Sequence, residues 1–150
     1  MGRLQGFLEL SPADEVRVLT SAFLLFVIAV GINVFSFSTV RSVLLRLATA
    51  SSLVAPGTPS PQWIARIVDI SDRHLPGHRT CLVRSLSTET LLYSYGYTPE
   101  HRIGVARTGD GVEAHSWIEY DDSILIGNLD DLSRYEPLPS LDDGNELWTT

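Results

Sequence analysis

From Val18 to Val40 the chain runs 23 residues without a charged side chain. A helix of that length can cross a bilayer, and any fold must find cover for it. Thr20, Ser21, Asn33, Ser36, Ser38 and Thr39 interrupt the run, and Ser36-Phe37-Ser38 breaks it before a second helix. That helix is expected near residues 39–50, with Val40, Val43, Leu44 and Leu47 on one stripe. Ser11-Pro12-Ala13-Asp14 marks the start of the first helix: Ser11 can cap free N–H groups, Pro12 suits the first helical position, and Asp14 with Glu15 opposes the positive helix end. Two placements compete for this pair, docking on the domain or a partner protein and contact with a membrane. The polar breaks cut the clean apolar span below about 20 residues and favour docking.

The whole negative excess lies at the other end. The formal charge is −7 over 150 residues. Residues 121–150 hold eight acids against Arg134 alone, whereas residues 1–120 balance ten acids with ten arginines. A nucleic-acid partner would need a basic stripe to replace counterions along phosphates, and the sequence has none. The acidic end, 141–150, reads as a solvated tail. Cys81 is the one cysteine, so no internal disulfide can form and a reducing, cytoplasmic setting is expected. The first seventeen residues mix Arg3 and Arg17 with Glu9, Asp14 and Glu15, which is not a secretory signal pattern.

Residues 51–61, rich in Pro, read as a loop dividing the helices of 1–50 from a core over 62–140. Pro61-Gln62-Trp63 opens a helix with Trp63, Ile64, Ile67, Val68 and Ile70 on one face, ending at Leu75-Pro76-Gly77. A further helix runs from Cys81 to about Tyr95, with Gly96 as its stop. The period then changes from about 3.6 to 2. Strands are expected at 103–107, 112–120 and 124–128, with turns at 108–111 and Asp121-Asp122. Helices followed by an antiparallel sheet make an α+β fold.

Cys81 follows His78, Arg79 and Thr80 in a polar connection and opens a helix, where free N–H groups and the helix dipole favour a thiolate. Of four histidines, only His115 lies inside a firmly read strand. Val112, Ala114, Ser116, Ile118 and Tyr120 form one face of that strand, the core side; Glu113, His115, Trp117 and Glu119 form the other, across which Cys81 is expected to pack. A two-residue turn at Asp121-Asp122 sets Tyr120 opposite Ser123 and His115 opposite Asn128. The Asn128 carbonyl would then hold Nδ1–H and point Nε2 at the thiol, with Asp130 as the reserve candidate. A one-residue change of register puts Leu129 opposite instead. The histidines lack zinc-site spacing and one cysteine cannot build a thiolate cluster, so neither metal nor cofactor is expected.

Cys81-Leu82-Val83-Arg84, Gly96, Ile103-Gly104-Val105 and Ala114-His115-Ser116-Trp117-Ile118-Glu119, in that order, resemble the transglutaminase-like leader peptidases of lasso-peptide biosynthesis. The resemblance implies N-terminal helices followed by a transglutaminase/papain-like core, its Cys-led helix packed on a small antiparallel sheet. It implies that Cys81 attacks the leader–core bond of a ribosomally made precursor, with His115 as base. The partners it implies are that precursor peptide, a small separate leader-binding protein and an asparagine-synthetase-like, ATP-using cyclase that closes the macrolactam. The family usually carries Asp as the third residue, where this sequence offers Asn128. The rival expectations are a non-catalytic, membrane-associated adaptor and an acyltransferase that passes the acyl group to an amine.

Overall fold

The computed structural model describes residues 11–50, 57, 59–75, 77 and 80–138. Four helices precede a small sheet: α1 (Pro12–Val34), α2 (Phe37–Ala50), α3 (Pro61–His74) and α4 (Cys81–Ser94). The strands are β1 (Glu100–Thr108), β2 (Gly111–Tyr120), β3 (Ser123–Ile126) and β4 (Glu136–Pro137), antiparallel in the order β3-β2-β1-β4. The fold is α+β, as the change of period indicated. The predicted loop falls mostly outside the described residues, as do Pro76, His78, Arg79 and the tail 141–150.

Each helix starts where a short polar side chain can replace a missing backbone partner. Ser11, Ser60 and Thr80 accept from the N–H groups of Asp14, Trp63 and Val83, and Pro occupies the opening turn of α1 and α3. Helix α4 ends at Gly96 with φ +88°, the Gly96 and Tyr97 N–H groups returning to the Tyr93 and Leu92 carbonyls. The chain reverses between β2 and β3 at Asp121 and Asp122, with φ of 51° and 63°, the geometry of a two-residue hairpin whose twist matches its strands.

The sheet is covered on both faces. Ile118 and Ile126 pack into one core with Leu25 and Ile28 of α1, Leu44 of α2, Ile64 and Val68 of α3, and Leu86 and Leu92 of α4. On the other face Trp117, Ala106 and Tyr135 form a second cluster, with Ile124 and Leu132 against it. A bulge serves both. Register runs Tyr120↔Ser123 and Glu119↔Ile124 and then shifts to Ile118↔Ile126, leaving Leu125 as the extra residue. Without it Ile124 and Ile126 would share a face; with it Ile124 joins the outer cluster and Ile126 the helical core.

Helix α1 is long and apolar enough to cross a membrane by length and composition. Here one face of it is part of the core: Val18, Ser21, Leu25 and Ile28 are buried. Arg17, also buried, donates to Asp14 and to the Tyr95 hydroxyl, and the Trp63 indole donates to Asp14, which ties α1 to α3 and the end of α4. Burial works to raise the Asp14 pKa, but the hydrogen bonds from Trp63, Arg17 and Ser11 outweigh it and hold the carboxyl below its ordinary value.

The turn supplies a test. Both central positions need φ > 0, and aspartate tolerates this less well than glycine. Asp122→Gly is expected to raise stability by roughly 0.5 kcal/mol, read as a higher urea midpoint with an unchanged slope.

Candidate active site

Cys81 is the first residue of α4, partly buried, with a free thiol. The Thr80 side chain takes the Val83 N–H and the Thr80 carbonyl takes that of Arg84, so the N–H groups of Cys81 and Leu82 remain without a partner among the described residues. Arg84, one turn on, pairs with Asp69 and Asp72 of α3 and fixes the helix opening against the end of that helix. Unpartnered N–H donors and the positive end of the helix dipole thus lie beside a partly exposed sulfur.

His115 sits on β2 opposite Gly104 of β1. Its ring stacks near Trp117, 6.1 Å between centroids, and lies against Tyr135. Nε2 lies 2.6 Å from the Gly127 carbonyl. A carbonyl only accepts, so Nε2 carries the proton and Nδ1 is the free acceptor of the neutral ring. This corrects the expected hairpin register: the bulge ends the simple pairing before it reaches His115, and the Gly127 carbonyl, not Asn128, meets the imidazole. It also exchanges the roles of the two ring nitrogens. Asn128 and Asp130 are exposed, and neither hydrogen-bonds to His115. Two glycines make room here. A Cβ on Gly104 would lie 2.9 Å from the Trp117 ring, and one on Gly127, whose φ is +87°, would lie 2.6 Å from the Ser116 carbonyl.

The core side of β2 is as expected, with Ser116 and Ile118 buried, but the expected packing of the Cys81 helix across the His115 face is corrected. The split of β2 into two alternating faces is as expected, but α4 packs on the Ser116 and Ile118 side, not on the His115 side. No hydrogen bond joins Cys81 to His115 among the described residues. His115 lies where β3 has ended and the edge of β2 is paired only with β1.

A second set of polar groups escaped the sequence reading. Glu89 of α4, wholly buried, accepts from Arg41 of α2 through both carboxylate oxygens, at 3.0 and 2.7 Å. It also accepts from Nδ1–H of His101 at 2.9 Å, and His101 Nε2 lies 2.6 Å from the Ser116 hydroxyl. The Phe37 ring meets the His101 ring edge-on. Burial works to raise the Glu89 pKa, but the hydrogen bond and charge of His101, and then those of Arg41, outweigh it and lower the value. Hydroxyl, imidazole and carboxylate stand in the order of a hydrolytic triad, but Ser116 is only 2% exposed, so no substrate reaches it. The signal was in the sequence: Glu89 shares the helical stripe of Leu82, Leu86 and Tyr93, and an acid on an apolar stripe needs a buried partner.

The family model of the transglutaminase-like superfamily matches residues 22–140. The chain belongs to the transglutaminase-like superfamily. A transglutaminase-like domain often has the character of a cysteine protease or acyltransferase. The match includes most of α1 as well as the sheet, in keeping with their common core. No curated protein and no solved structure matches the chain.

The buried network yields a prediction with a definite sign. The folded-state pKa of Glu89 is lowered, so its contribution to stability is present above the unfolded value and is lost as pH falls through the folded one. Glu89→Gln should therefore flatten the acid limb of the stability–pH curve below about pH 4.5. Arg41→Ala, which strips the carboxylate of its bidentate partner, should cost about 3 kcal/mol in urea unfolding at neutral pH.

Proposed function

We propose that this transglutaminase-like protein is a cysteine peptidase that removes the leader from a lasso-peptide precursor before a separate ATP-dependent cyclase closes the macrolactam. The observation that carries the reading is a lone thiol at the first position of a capped helix, beside unpartnered N–H groups, in a chain of this superfamily. The finer assignment rests on the sequence resemblance around Cys81 and His115.

Cys81 is the nucleophile and His115 the base. The thiolate attacks the carbonyl of the last leader residue, forming an S–C bond. The oxyanion is stabilised by the N–H groups of Cys81 and a neighbour at the helix opening. The C–N bond breaks as imidazolium returns a proton to the core amine, and water then hydrolyses the thioester to free the leader carboxylate and the thiol. This chemistry requires the imidazole to leave the Gly127 carbonyl and reach the sulfur as substrate arrives. Asn128, with Asp130 in reserve, lies just beyond Gly127 and is the proposed orienter of the ring once it has left the Gly127 carbonyl. A small leader-binding protein presents the precursor, and the reaction is cytoplasmic.

A non-catalytic adaptor is favoured by one observation, the His115 bond to Gly127 in place of the thiol. Mass spectrometry of a candidate precursor mixed with the full chain and its leader-binding partner separates the readings. The peptidase gives free leader acid and free core, loses both with Cys81→Ala, and slows by about 10²–10⁴-fold with His115→Ala. Cleavage that survives Cys81→Ala, or a precursor that is bound and left intact, overturns the proposal. A leader–amine adduct formed on addition of a primary amine would assign the chain to acyl transfer instead.

A further inference from the structure

Helix α1 has two apolar faces, and only one is used by the core. Val16, Leu19, Phe23, Phe26, Val27, Val30 and Val34 are all exposed. At 100° per residue they fall within an arc of roughly 100°, on the side away from Val18, Ser21, Leu25 and Ile28. Phe23, at 68% exposure, stands near its centre and Phe26, at 66%, at one border. We propose that this stripe is the seam of a homodimer, in which α1 packs against α1 of a second copy of the chain.

Three observations select that occupant. The spacing Val16, Leu19, Phe23, Phe26, Val30 alternates steps of three and four, the heptad seam that fits another helix. The position that would continue the seam, Asn33, is polar, and one such residue in a helical seam sets register. The exposed apolar surface is on the order of 800 Å², beyond the largest patch of a typical monomer and equal to one partner's share of a standard interface. The chemistry of a lipid anchor is missing from the stripe. No Trp or Tyr lies along it, the chain has no Lys and a charge of −7, and Arg17 is buried against Asp14 and Tyr95.

Sedimentation velocity of the full chain at micromolar concentration tests the seam. The expected result is twice the chain mass for the wild type and a single chain mass for Phe23→Glu/Phe26→Glu, with unchanged far-ultraviolet circular dichroism and melting. Leu19→Lys, at the seam's end, gives a second variant expected to weaken the dimer should the double variant fail to fold. Phe23→Leu/Phe26→Leu should restore it. A wild type that sediments as a single chain overturns the proposal, and flotation of that monomer with phosphatidylcholine vesicles would assign the stripe to lipid. A dimer undiminished by either charged variant also overturns it.

Discussion

The buried carboxylate of Glu89 constrains everything around it. A charge taken wholly out of water is tolerable only when paired and hydrogen-bonded. Arg41 comes from α2, His101 from β1 and, through His101, Ser116 from β2, so one side chain on α4 fixes four elements at hydrogen-bond distances. Apolar packing would allow α4 to slide along the sheet at modest cost; this network does not. It therefore sets the relation between the helix that begins with Cys81 and the strand that carries His115.

The consequence for the site follows from alternation along β2. Ser116 must face α4 to meet His101, so His115 and Trp117 must face away. The outer face is a built environment, with Trp117 and Tyr135 around the imidazole and Gly104 and Gly127 clearing space for the rings and chain. The imidazole thus lies on the face of β2 turned away from the core of α4, and among the described residues no hydrogen bond joins it to Cys81.

Local chemistry was legible in the sequence. Ser11-Pro12 and Gly96 marked helix ends, Cys81 a helix start, and Asp121-Asp122 a reversal, because each of these signals acts within a few residues. The α+β order and the two faces of β2 followed from period alone. Three features were hidden because they depend on distant partners. The bulge at Leu125 answers to two cores at once, so counting from the turn misplaced Asn128 and missed the Gly127 carbonyl. The side of the sheet taken by α4 depends on Glu89 finding His101, twelve residues on. The apolar run of α1 could not declare which of its faces is buried, since both are apolar and only packing distinguishes Leu25 from Phe26. The short β4, two residues on the edge of β1, was too brief to leave a pattern.

The central proposal is that Cys81 is the nucleophile and His115 its base. The most direct measurement is intact-mass spectrometry of the full chain, quenched with acid during turnover of a candidate precursor presented by its leader-binding partner. The account predicts a leader acyl adduct on Cys81 in the wild type, formed more slowly in His115→Ala and absent in Cys81→Ala. Cleavage that proceeds unchanged in both variants, with no adduct on Cys81, would contradict it.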